Sequence, residues 1–102
     1  MMRIPAKFRA NGLEWSVIEG EVEDVYAITT FKKQTILIEQ SLPQQLKEQT
    51  FLHELLHVVI WSAGLDTKGS IFEDTELEER TVNSMANGLY QVLNDNGLLN
   101  KD

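Results

Sequence analysis

The chain contains the sequence Phe51-Leu52-His53-Glu54-Leu55-Leu56-His57-Val58-Val59-Ile60-Trp61. Its only two histidines lie four residues apart in this stretch. Residues at this spacing share one face of an α-helix, with Cβ atoms about 5–6 Å apart, so both imidazoles can reach one metal ion. Glu54, rotated by about 100° from His53, lies beside the metal, where its carboxylate can accept a proton from an activated water. The pattern predicts a helical Zn²⁺ site with His53 and His57 as ligands and Glu54 as the catalytic base.

The same pattern could arise in an ordinary amphipathic helix with half-buried histidines and a solvated glutamate. The flanking residues disfavour this interpretation, because they are apolar on almost all sides and indicate a buried helix. Two histidines and a glutamate in such a helix are costly without polar partners, and a bound cation would supply one. We therefore favour the metal site.

Composition limits the class of protein. The chain has 102 residues, which predicts one domain over residues 1–102. It has no cysteine, so the ligands left for a metal are histidine, carboxylate and water. The net charge of −7 disfavours nucleic acid or an anionic membrane as the main partner. With no signal-peptide pattern and no long apolar run, we expect a soluble, cytoplasmic protein, in the host cytoplasm if it is phage-encoded.

The first half of the chain predicts strands. Residues 7–10 and 13–18 alternate between apolar and polar on either side of Asn11-Gly12, which is typical of a hairpin. Residues 26–31 and 35–39 predict two more strands, joined by a turn at residues 32–34. We expect a small antiparallel or mixed sheet.

The second half predicts two helices. Ser41 as the capping residue, followed by Pro43 and Gln44, predicts a helix that starts there and ends at Gly64. After a loop at residues 66–70, a second helix is expected to start at Asp74 or Thr75, where residues 75–78 fit a capping box, and to end near residue 95. Its predicted core stripe consists of Val82, Met85, Ala86, Leu89 and Leu93. The fold class is therefore α+β, a small N-terminal sheet followed by two main helices.

A catalytic zinc usually has three protein ligands and one open position. No third histidine exists, so the third ligand is expected to be a carboxylate on the second helix. Projected at 100° per residue, Glu78 lies about 40° to one side of Val82 and Glu79 about 60° to the other. Periodicity alone leaves Glu78 and Glu79 as equal candidates.

The order of strand, His-Glu-x-x-His helix, loop and second helix resembles the zincin metallopeptidases that use a glutamate as third ligand. It is most similar to the small phage and prophage proteins grouped near the ImmA/IrrE peptidases. In that family the glutamate is followed four residues later by Asn or Asp and then by a small residue, which Glu79, Asn83 and Ala86 match. The resemblance implies a minimal zincin-like domain with Glu79 as third ligand and Asn83 as a residue that orients a ligand.

These observations predict a zinc-dependent hydrolase, a metallopeptidase that acts on a protein or peptide substrate. Residues 35–39 resemble the zincin edge strand, along which an extended substrate binds by strand addition. Tyr26 and Tyr90 are candidate donors to the oxyanion, although an ordinary surface or core tyrosine is the preferred interpretation of each.

Two other interpretations remain open. In the first, the zincin fold keeps its zinc but acts as a non-catalytic regulatory or interaction module, which the small size favours. In the second, the chain binds no metal and is an acidic interaction domain.

Overall fold

The structure is a computed structural model that describes residues 2–99. It has four strands, β1 (Lys7–Ala10), β2 (Leu13–Gly20), β3 (Ala27–Thr30) and β4 (Thr35–Glu39). Two helices follow, α1 (Gln44–Ser62) and α2 (Thr75–Asp95). The predicted α+β layout, a sheet followed by two helices, is confirmed. Neither helix has an apolar stretch sufficient to span a membrane.

The sheet is mixed, and its strand order is β1-β2-β4-β3. β1 with β2 and β3 with β4 are antiparallel, whereas β2 and β4 run parallel. The edges of the sheet are therefore β1 and β3. The prediction that residues 35–39 form an edge strand is wrong, because Ile36 and Ile38 are fully buried and their strand lies inside the sheet.

Two turns set the register of the hairpins. Asn11 and Gly12 have φ values of 49° and 83°, the positive angles that a type I′ turn requires at both central positions. The predicted hairpin between β1 and β2 is thereby confirmed. Gln34, with φ of 53°, closes the turn from β3 into β4.

The core between the sheet and α1 is built around Trp15, which is fully buried. Its ring centroid lies 6.0 Å from those of Phe8, Phe31 and Trp61. Trp61 belongs to the last turn of α1, so these aromatic contacts hold the helix across the sheet. The histidines of the central turns of α1 are thereby fixed relative to the strands.

The start of α1 differs from the prediction. The N-cap is Pro43, with no side-chain capping bond, and the Ser41 hydroxyl donates to the Glu39 carboxylate at 2.5 Å instead. Ser41 is therefore not the cap, because the helix begins at Gln44, two residues later than a cap at Ser41 would require. Hydrogen bonds from the Ser41 hydroxyl and from the Val22 and Ser41 N–H groups lower the pKa of Glu39.

The end of α1 agrees with the prediction. Gly64 has φ of 73°, and its N–H donates to the Trp61 carbonyl at 3.0 Å. The Leu65 N–H donates to the Ile60 carbonyl at 3.0 Å, which completes a Schellman motif.

α2 starts and ends where the sequence predicts, but its buried face is partly different. Asp74, one of the two expected starting residues, is the N-cap, and the helix begins at Thr75. Val82, Ala86 and Tyr90 are buried, whereas Met85 and Leu89, which the predicted stripe placed in the core, are 58% and 41% exposed. Relative to the predicted stripe, α2 is rotated about its axis. The face towards α1 carries Glu78, Glu79 and Tyr90, which make polar contacts with side chains of α1.

Candidate metal centre

His53 and His57 lie one turn apart on α1, at the face that packs against α2. Their Nε2 atoms are 3.2 Å apart, and their side chains are 19% and 15% exposed. Both rings therefore point to one place that is shielded from most of the solvent. This is the convergence that the spacing of the two histidines predicts.

Glu79, from the second turn of α2, completes the cluster. Its Oε1 lies 2.8 Å from His53 Nε2, and its Oε2 lies 3.1 Å from His57 Nε2. The structure thus brings together the three residues expected as ligands, with one donor atom of each within 4.8 Å of the others.

The spacing of the donor atoms fits a small divalent ion. Around a tetrahedral Zn²⁺ with ligands at about 2.0–2.1 Å, neighbouring donor atoms are about 3.3 Å apart. The two imidazole nitrogens are 3.2 Å apart, and they lie 2.8 and 3.1 Å from the two different oxygens of Glu79, distances slightly shorter than that edge. The three residues could therefore hold one metal ion after small side-chain shifts.

Glu54 lies beside this cluster rather than in it. Its Oε2 is 3.8 Å from His53 Nε2, and its Oε1 accepts a hydrogen bond of 2.5 Å from the Thr29 hydroxyl. Thr29 belongs to β3, so the edge strand holds the carboxylate in place. This contact could not be predicted from the sequence, because it depends on which strand lies next to α1.

Glu78, the other candidate for third ligand, contacts the opposite side of His57. Its Oε2 lies 2.5 Å from His57 Nδ1, and its side chain is 12% exposed. Asn83 is exposed and lines the cavity beside His53, and it makes no side-chain hydrogen bond within residues 2–99. The structure therefore places Glu78, and not Asn83, in contact with a histidine of the cluster.

Two cavities lie along β3 beside the cluster, and together they are called the cleft. A cavity of about 360 Å³ is lined by residues of the β3 end, α1 and α2, among them Tyr26, Ala27, His53, Glu54 and Glu79. A second cavity, of about 330 Å³, lies towards the other end of β3 and is lined by Thr29, Phe31, Glu54, His57, Asp66 and Glu78. Glu54 borders both cavities, so the expected base lies between them.

The two tyrosines occupy different environments. Tyr26 is exposed and lines the first cavity with His53 and Glu54. Tyr90 is buried, and its hydroxyl donates to Glu48 Oε1 at 2.7 Å. Burial, followed by the bond to Glu48 and its charge, raises the pKa of Tyr90 to about 12. Tyr90 is thus a core residue, and Tyr26 is the tyrosine at the cleft.

Comparison of the chain with protein-family models, with curated proteins and with solved structures gives no match. The likeness to zincin metallopeptidases therefore stays a prediction that rests on the residues of the chain itself.

Proposed function

We propose that the protein is a zinc-dependent hydrolase that cleaves a peptide bond in a protein or peptide substrate. The observation that carries the proposal is the convergence of His53, His57 and Glu79 with Glu54 beside them, in a cleft along a sheet edge. Two imidazoles and one carboxylate are the ligand set of catalytic zinc sites that leave a fourth position open.

Zinc, once bound there, would polarise the scissile carbonyl and lower the pKa of water towards neutrality. Glu54 would take up a proton from the attacking water and pass it to the leaving amine. The Thr29 hydroxyl occupies Oε1 of Glu54, which leaves Oε2, on the His53 side, available for the proton. Thr29 thus orients the base towards the cluster.

β3 is the strand that fits an extended substrate. The Tyr26 carbonyl accepts a hydrogen bond of 2.8 Å from the Glu39 N–H, so it points towards β4. Along an antiparallel strand, residues whose backbone groups bond to the neighbouring strand alternate with residues whose backbone groups point away from it. The N–H and C=O groups of Ala27 and Thr29 therefore point away from β4, towards the open edge of the sheet. A peptide that pairs with these groups would lie across the cleft beside Glu54.

A second candidate function is a zinc-containing regulatory or interaction module without catalysis. The openness of the centre favours it, because Glu79 is 56% exposed and no further element of residues 2–99 encloses the cleft. Such a module would use the same ligands but would not need Glu54 as a base.

Glu54→Gln distinguishes the two functions. Glutamine is nearly isosteric and can still accept the Thr29 hydrogen bond, but it cannot take up the proton of water. We expect the variant to keep its fold and its zinc and to lose cleavage of a denatured-protein library, read as new termini by mass spectrometry. Glu76→Gln, an exposed glutamate on α2, is the matched control and should cleave like wild type.

Chelation of the metal should also abolish cleavage by the wild type. The non-catalytic module would be supported instead if neither zinc-loaded wild type nor zinc-loaded Glu54→Gln cleaves any substrate and both capture the same intact partner. Cleavage that survives in Glu54→Gln would contradict the role of Glu54.

A further inference from the structure

His57 is held at both of its ring nitrogens by neighbouring residues of one helix. Glu78 Oε2 lies 2.5 Å from Nδ1, and Glu79 Oε2 lies 3.1 Å from Nε2. Consecutive residues of a helix point about 100° apart, so one turn of α2 can reach both sides of the same ring. His53 has no such contact at its Nδ1 within residues 2–99.

The contact with Glu78 determines where the proton of a neutral His57 lies. Both carboxylates only accept hydrogen bonds, so a neutral His57, which has one N–H, can donate to only one of them. Its contact with Glu78 is the shorter one, 2.5 Å against 3.1 Å for Glu79, so the geometry favours the hydrogen on Nδ1. Nε2 is then left with its lone pair, and it points at the place where His53 Nε2 and Glu79 converge. A lone pair on Nε2 is what a metal ligand requires.

We propose that Glu78 is the positioning residue of the centre, which holds His57 as the Nδ1–H tautomer before any metal binds. This inference rests on the metal-binding part of the proposed function and not on peptide cleavage. It assigns to Glu78 the orienting role that the family resemblance gave to Asn83. The geometry favours Glu78, because its carboxylate is largely buried against the ring whereas Asn83 faces the cleft without a partner in residues 2–99.

A purely structural role for Glu78 has different consequences. If the pair only joined α1 to α2, its loss would lower the stability of the fold but would not change the tautomer of His57 in the folded protein. The metal-free protein therefore provides the most informative test. Since the chain has only two histidines, their ring nitrogens can be distinguished by ¹⁵N NMR.

The experiment records long-range ¹H–¹⁵N spectra of untagged, metal-free protein at about pH 8, in which a neutral imidazole shows one protonated and one unprotonated ring nitrogen. His53→Gln assigns the signals of His57. We expect the wild type and Glu78→Gln to show His57 protonated at Nδ1, because an amide oxygen can still accept that bond. Glu78→Ala should shift His57 towards the Nε2–H tautomer, and Glu76→Ala, the matched control, should not.

Zinc titration of the same proteins provides the second measurement. Glu78→Ala should bind Zn²⁺ about 10- to 100-fold more weakly than wild type, with Glu78→Gln in between. An unchanged His57 tautomer and unchanged zinc affinity in folded Glu78→Ala would overturn the inference. If Glu78→Ala does not fold, an Nε2–H tautomer of His57 in wild type or in Glu78→Gln would overturn it. A chain that shows the expected tautomers but binds no zinc would contradict the proposed function and still support the orientation of His57 by Glu78.

Discussion

At the scale of single residues, the carboxylate of Glu48 is buried and joins three segments of the chain by hydrogen bonds. It is 1% exposed and accepts hydrogen bonds from the Tyr90 hydroxyl at 2.7 Å, the Gln44 amide at 2.9 Å and the Met2 N–H at 3.3 Å. A buried carboxylate is tolerated only when such donors replace its water. Glu48 therefore ties the amino-terminal segment and α2 to the start of α1.

Tyr90 gives this network a measurable pH dependence. Its pKa is raised to about 12 in the folded protein, against about 10 in an unfolded chain. Between these values the folded state holds a proton that the unfolded state has lost, so the stability that this proton provides is complete below pH 10 and is lost as the pH rises towards 12. Between pH 10 and pH 12, the ionisation of Tyr90 lowers the free energy of unfolding by up to about 1.4 kcal/mol per pH unit, the value for one proton.

We predict that Tyr26→Phe, which leaves Tyr90 as the only tyrosine, shows phenolate absorbance only near pH 12. In urea denaturation, the fall in unfolding free energy between pH 10 and pH 12 should be smaller for Tyr90→Phe than for wild type. Ionisation of Tyr90 near pH 10 in the folded protein would contradict the buried bond to Glu48.

Periodicity identified part of the site at this scale. The spacing of His53 and His57 is a local property of one helix, and the structure brings the two rings together. Periodicity could not separate Glu78 from Glu79, because both lie within about 60° of the core direction and the choice depends on where α1 lies. Thr29 could not be found at all, since its contact with Glu54 joins residues 25 apart in sequence.

At the scale of elements, the first turns of α2 carry both glutamates, and Asp74 caps that end. Asp74 Oδ1 accepts hydrogen bonds from the N–H groups of Glu76 at 2.9 Å and Leu77 at 3.4 Å. Loss of the cap lets the first turn fray. The positions of Glu78 and Glu79 then become less defined.

We predict that Asp74→Ala lowers the free energy of unfolding by about 0.5–2 kcal/mol and weakens zinc binding several-fold. Urea denaturation and zinc titration measure the two effects. Asp74→Asn should retain most of both properties, because an Asn side chain also caps helices well. Thr75→Ala should have little effect, and a larger loss from Thr75→Ala than from Asp74→Ala would show that Thr75 is the cap.

Several element boundaries followed the local signals of the sequence, whereas the start of α1 did not. The Asn11-Gly12 turn, Gly64 and the end of α2 before Gly97 are set by backbone conformations that few residues adopt, so they could be predicted. The buried face of α2 could not, because apolar residues cover more of that helix than α1 can bury. Met85 and Leu89 fit a helical stripe as well as Tyr90 does, and only the bonds made to α1 decide which face is inside.

At the scale of the whole molecule, the order of strands in the sheet decides where a substrate could bind. The parallel pairing of β2 with β4 joins the two hairpins and places β4 between β2 and β3, which leaves β3 at the edge beside α1. The sequence predicted each strand but not this pairing, because the contact joins segments about 20 residues apart without a local turn. Which strand forms the edge beside the cleft therefore depends on the complete fold and not on any single segment of the sequence.

The central claim is that His53, His57 and Glu79 form one metal centre, and zinc binding by the untagged protein tests it most directly. We predict about one Zn²⁺ per chain by elemental analysis, and an affinity at least 100-fold lower for Glu79→Ala, which loses a ligand. Glu76→Ala removes the same charge from an exposed position of α2 and should bind like wild type. Metal-free protein that is fully folded and takes up no added zinc, or Glu79→Ala with the affinity of wild type, would contradict the claim.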